Sequence, residues 1–177
     1  TKRMLRYLRH HPTLEWVFEL AEMPAALSIA TDADWAGDSR TRRSTSGTDV
    51  QLGRCTLTTY SRTQGSVSLS SAEAEYMSLV GAAQEGLMLK SVLSELGHSV
   101  EVLILSDAQA AISAAEKRGI LRFKHLAIRW LFLKELTERK EIIIQKVASA
   151  AHVSDMLTKP VDAVTLARNL AGMACFA

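Results

Sequence analysis

Carboxylates stand where apolar, strand-like runs stop. Leu27, Ile29 and Ala30 lead into Thr31-Asp32-Ala33-Asp34-Trp35-Ala36-Gly37-Asp38, and Val102, Leu103, Ile104 and Leu105 lead into Ser106-Asp107. Such runs belong in a core, where an ionised acid costs desolvation unless a cation or a proton compensates. Two other stretches put acids at helix starts: Ser70-Ser71-Ala72-Glu73-Ala74-Glu75-Tyr76-Met77 and Ser154-Asp155-Met156-Leu157-Thr158-Lys159-Pro160. Hard divalent cations such as Mg²⁺ take oxygen ligands and keep several waters, so carboxylates from separate elements suit a phosphate-handling site.

The acids are not equivalent. Ser70 and Glu73 have capping-box spacing before an apolar helical run, which gives Glu73 a structural task. Glu75 has none, and its helical neighbours Leu79, Ala82, Ala83 and Gly86 are apolar or small. Asp32 and Asp34 point to the same face of an extended strand, so periodicity leaves both open as the first acid. Asp155 sits where a helix dipole stabilises an anion, a position that capping alone also explains.

The elements that must position these acids follow from patterning. Thr1 to His11 is a basic amphipathic helix, with Met4, Leu5 and Leu8 among Lys2, Arg3, Arg6 and Arg9. Residues 14–20 form a short strand before Pro24, and residues 27–32 form the central strand. A polar loop carries Arg40, Arg42 and Arg43, with Gly47 as its turn. Residues 50–53 and 55–61 pair as a hairpin, continued by 67–69. The helix from Ser70 ends at Gly97; a strand over 100–105 precedes a helix over 108–117. Basic residues Lys117, Arg118, Arg122, Lys124, His125 and Arg129 lead into a helix over 126–139, in which Trp130 faces the core. A last strand over 142–147, a loop with His152 and a helix over 163–173 complete the chain.

Composition bounds the function. The 177 residues suffice for one core, and 47% hydrophobic with 23% charged residues is ordinary for a globular protein. A net charge of +2 means that nucleic acid must be met by local basic patches. Cys55 and Cys175 make no metal-binding pair, and no apolar run is long enough to span a membrane. These features predict a soluble, intracellular protein. Thr1 is not a natural start, so the sequence reads as a piece of a longer product.

Several motifs together carry a resemblance. The Thr31–Asp38 stretch, Arg42-Arg43-Ser44-Thr45-Ser46-Gly47, Leu69–Met77, Lys124-His125 with Ile128-Arg129, and Asp155–Pro160 occur in order over nearly the whole chain. In this the chain resembles the ribonuclease H domain of copia-type LTR-retrotransposon polyproteins. It departs from that pattern at Thr48-Asp49, Tyr60, Ala108 and Ala127. The resemblance implies an α/β, ribonuclease H-like fold: a mixed five-stranded sheet, three antiparallel strands then parallel ones, with helices on both faces. It divides the chain into residues 1–24, the remnant of a link to an upstream reverse transcriptase, and a catalytic domain over 25–177.

It further implies Mg²⁺-dependent endonucleolytic cleavage of the RNA strand of RNA–DNA hybrids during reverse transcription. Asp32, Glu75, Asp107 and Asp155 would be the metal-holding catalytic acids, and His152 a helper in proton transfer or product release. Two Mg²⁺ ions, for which Mn²⁺ can substitute, would sit about 3.5–4 Å apart to activate water and stabilise the leaving oxygen. Arg42, Arg43, Gln109 and Arg129 are the candidate substrate contacts, and the 2′-hydroxyl must be what selects RNA. The partners would be the hybrid and the reverse transcriptase domain of the same polyprotein, with no membrane. The expected location is the cytoplasm, in a virus-like particle if the element is active. Two other readings compete: a non-catalytic ribonuclease H-fold nucleic-acid-binding module, and an integrase-like strand transferase. The latter needs a helical glutamate beyond Asp107, whereas Glu141 abuts a strand, which ranks it last.

Overall fold

The structure is a computed structural model that describes residues 2–18, 22–116, 127–149 and 152–176. Its elements in chain order are α1 (Lys2–His10), β1 (Glu15–Trp16), β2 (Ala26–Asp34), β3 (Thr45–Leu52), β4 (Cys55–Thr63), α2 (Ser71–Glu95), β5 (Glu101–Ser106), α3 (Gln109–Glu116), α4 (Ala127–Glu138), β6 (Ile142–Lys146), α5 (Asp155–Thr158), α6 (Ala163–Gly172) and β7 (Cys175–Phe176). The main sheet runs β4-β3-β2-β5-β6. Pairing is antiparallel from β2 to β4 and parallel from β2 through β5 to β6. This is the mixed α/β architecture that the sequence implied.

The sheet has two unlike faces because β2 alternates. Leu27 and Ile29 join Val50, Val102 and Ile104 under α2, α3 and α4, where Leu79, Ala83, Ala111, Ala115, Trp130 and Leu133 complete the main core. Trp130 is therefore a packing residue, and its Nε1 donates to the Ala114 carbonyl at 3.1 Å. The opposite face is more polar. Asp49 lies there, fully buried, across from Ala30. Gln51 Nε2 donates both to its carboxylate and to the Gly172 carbonyl, and Thr56 donates to the Met173 carbonyl, so the β3–β4 hairpin holds the end of α6. Burial pushes the Asp49 carboxyl up to about 6 against the lowering effect of its bonds to Gln51 and Thr56.

Three sequence expectations change. Gly47 is not a turn: it lies inside β3, opposite Asp32. Its reason is steric, since an added Cβ would lie 2.7 Å from Leu157 Cβ and 2.8 Å from Thr158 Cγ2 on α5. Residues 67–69 do not continue the hairpin. The segment after Thr63 is tied by side chains instead: Gln64 donates to the Ala74 carbonyl and Ser46 Oγ, Ser68 donates to Gln64, and Trp35 donates to the Ser68 carbonyl. The strand expected over 14–20 is only Glu15–Trp16, paired with Cys175–Phe176; residues 19–20 lie outside the described residues. So do Lys117, Arg118, Arg122, Lys124 and His125.

Gly86 is where α2 crosses the sheet, and an added Cβ would lie 2.5 Å from Ile29 Cδ1 and 2.6 Å from Val102 Cγ1. Gly86→Ala is expected to cost roughly 1–3 kcal/mol by overpacking. Gly65→Ala, at a position with nothing within 4 Å, should leave the urea midpoint almost unmoved.

Candidate active site

Parallel pairing of β2 with β5 brings their carboxyl ends to one edge of the sheet. The pairing stops at Ala30 and Leu105, and beyond it the strands part. Asp32 and Asp107 follow directly. The parting leaves the Thr31 carbonyl without a ladder partner on that side, and His152 Nε2 meets it at 2.8 Å. A carbonyl only accepts, so Nε2 is the donor of this bond. One ligand-type atom from each of Asp32, Asp107 and His152 lies within 4.8 Å of the others. Asp32 and His152 are buried, and Asp107 is half-buried.

Glu75 comes from α2, whose register is set by hydroxyls. Ser70 caps the helix by accepting from Glu73 N–H at 3.2 Å, and Glu73 Oε2 accepts from Leu69 N–H at 2.9 Å. One turn after Glu75, Ser78 donates to the Asp32 carbonyl at 2.9 Å and touches Thr31 Oγ1 at 2.6 Å. Thr31 also bonds the Thr48 hydroxyl and the Gly47 carbonyl. This buried clamp seats Glu75 against Asp32. Burial, then the Asp32 charge, push the Glu75 carboxyl up to about 8; the Asp107 charge and a hydrogen bond with the Asp32 side chain add to this, while the Ala33 N–H opposes it. Glu75 Oε2 is buried with no hydrogen-bond partner.

The fourth acid rides on α5. Close packing on Gly47 brings this single turn over the sheet, and Thr158 Oγ1 donates to Asp32 Oδ2. Lys159 Nζ lies 2.8 Å from Asp155 Oδ1. Burial alone would lower the Lys159 ammonium, but the bond to Asp155 and the charges of Asp32, Asp155 and Asp107 outweigh it and hold it above the usual lysine value. Thr158 and Lys159 are donors that sequence reasoning left without a role; the only signal was their place directly after Asp155.

Of the two candidates for the first acid, it is Asp32 that meets Glu75, Asp107 and His152; Asp34 instead lies against Gly37 at the turn after β2. The candidate substrate contacts are all exposed. Arg42 and Arg43 lie in the turn before β3, with Arg42 at φ 58°, Gln109 opens α3, and Arg129 lies in the first turn of α4. Glu141 is not near this edge: it pairs with Arg139 at 3.9 Å where β6 starts, on the opposite edge of the sheet. The carboxylates of this set, among them a buried oxygen lacking a partner, fit a hard divalent cation.

No family model matches the chain. It is 33% identical over 147 residues to the retrovirus-related Pol polyprotein from transposon TNT 1-94 of Nicotiana tabacum, an alignment covering 81% of this chain and 11% of that protein. It is 32% identical over 166 residues to the corresponding polyprotein from transposon RE2 of Arabidopsis thaliana, covering 92% of this chain and again 11% of the relative. The chain thus spans about a tenth of the length of these Pol polyproteins. In fold it is similar to LC11-RNase H1, isolated from compost, with TM-score 0.59, 17% identity and coverage of 76% of this chain and 93% of that one. The same protein solved with an RNA/DNA hybrid gives 0.57 at 15% identity, with 75% and 93% covered.

The raised Glu75 carboxyl has a consequence for stability. Its proton is kept in the folded state and lost by the unfolded chain above about 4.5, so metal-free stability should fall as pH rises from there to about 8. Asp49 acts the same way only up to about 6. Urea unfolding in EDTA should therefore show a decline between pH 6 and 8, of at most about 1.4 kcal/mol per pH unit, that Glu75→Gln flattens.

Proposed function

The chain belongs, as one segment, to the retrovirus-related Pol polyproteins of copia-type transposons and has the ribonuclease H fold, and from that premise we propose that it hydrolyses the RNA strand of RNA–DNA hybrids in a metal-dependent reaction. The observation that carries this reading is the meeting of Asp32, Asp107 and His152 within 4.8 Å, with Glu75 held against them. A related fold has been crystallised with an RNA/DNA hybrid, which supports the substrate class.

Asp32, Glu75, Asp107 and Asp155 would hold two Mg²⁺ ions. Bound there, the metal would supply positive charge against the scissile phosphate and lower the pKa of the attacking water. The protein's own part is to keep four acids in register. Ser78 fixes the Asp32 backbone, Thr158 orients its carboxylate, and the Ala33 N–H holds Glu75. Glu75, ionised, would be one of the ligands, and the metal's charge would supply the compensation that burial and Asp32 otherwise withhold from its carboxylate. His152 is fixed by the Thr31 carbonyl beside Asp32 and Asp107, where it would help proton transfer or product release. Arg42, Arg43, Gln109 and Arg129 contact the phosphate backbones and ribose hydroxyls. Residues 1–24 connect the domain to the reverse transcriptase of the polyprotein; α1 offers exposed Met4, Leu5 and Leu8 for that contact. The reaction would take place in the cytoplasm, within a virus-like particle if the element is active.

The test is cleavage of a labelled RNA–DNA hybrid in Mg²⁺, with EDTA and Asp107→Asn as controls. Cutting confined to the RNA strand, lost in EDTA and at least about a hundredfold slower in the variant, is the expected result. Hybrid binding without any cutting by the unmodified protein would instead make it a binding module.

A further inference from the structure

Lys159 stands against the acid set rather than beside it. Pro160 bars the residue before it from helical conformation, and Lys159 is extended at φ −139° and ψ 153°, so α5 ends after one turn. Its backbone N–H closes that turn on the Asp155 carbonyl at 3.0 Å, and its side chain returns over the turn to Asp155 Oδ1 at 2.8 Å. Asp155 is mostly buried, with 17% of its side chain exposed, whereas the Lys159 side chain is 51% exposed. A half-exposed ion pair is weak, because water competes for the ammonium and its stem regains freedom on release. The cation is therefore placed on an oxygen that a divalent ion needs, yet held lightly enough to leave.

Its neighbour does the parallel thing. Thr158 Oγ1 bonds Asp32 Oδ2, so two consecutive residues give a hydroxyl and an ammonium to two of the four carboxylates. Together they compensate negative charge that would otherwise resist assembly.

We propose that Lys159 is a tethered cation that occupies Asp155 in the metal-free protein and competes with divalent metal for it. This inference rests on the metal-dependent reading above. Divalent metal displaces the ammonium, and the acid set stays assembled before any metal arrives. Lys159 is a positioning residue, acting through Asp155.

The measurement is Mg²⁺ titration of the full chain by calorimetry without nucleic acid. Lys159→Met should bind Mg²⁺ about five- to tenfold more tightly than the unmodified protein, Lys159→Gln should follow it, and Lys159→Arg should stay close to the unmodified protein. Loss of a merely structural contact would weaken binding instead. Equal or weaker binding by both neutral variants, in protein that binds Mg²⁺ and cuts hybrid, overturns this inference alone. Failure of the unmodified protein to bind Mg²⁺ overturns it together with the metal-dependent reading.

Discussion

Like charges resist being gathered, and everything distinctive here serves to gather them. Two acids and a histidine meet where β2 and β5 end, Glu75 is held against Asp32, Asp155 rides on α5, and no single stretch of chain could bring them together. The fold answers with local compensation. Glu75 keeps a proton, Asp32 takes a hydroxyl from Thr158, Asp155 takes an ammonium, and the Thr31 carbonyl takes an imidazole N–H. The donors come from α2, from the end of α5 and from the loop that precedes it. The polar site is thus also a joint between α2, the sheet and α5, and its assembly and the seating of those helices are one event.

The most economical part of that joint is the Thr31–Ser78–Thr48 hydroxyl cluster. It is fully buried, it ties α2 to two strands, and it lies one helical turn from Glu75. Hydroxyls suit the task because each can donate and accept, so a small cluster satisfies itself without charge. A cluster of fully buried, mutually satisfied groups specifies one arrangement, whereas apolar contacts would tolerate sliding.

Much of this could be read from residue order. Acids ending apolar runs gave Asp32 and Asp107, and the absence of a capping role singled out Glu75. The long helix from Ser70 to a glycine stop, with Gly97 at φ 85°, follows ordinary capping chemistry. What stayed hidden was pairwise. Gly47 looks like a turn residue until α5 is known to press on it, and Asp34 looks like Asp32 until the partners across the sheet are placed. Residues 67–69 have strand composition, yet Gln64, Ser68 and Trp35 claim their surroundings through side chains that no local pattern encodes. Ser78 and Thr158 carry no motif of their own; their meaning lies in distance.

The two edges of the sheet divide labour. All the reactive groups lie where β2 and β5 end, while Gly53, Gly97 and Lys140, each at positive φ, turn the chain at the opposite edge, where those strands begin. Chain length is free to vary at such turns without disturbing what lies across the domain. Insertions or appended segments along that margin would leave the meeting of Asp32, Asp107 and His152 at the far end of the strands untouched.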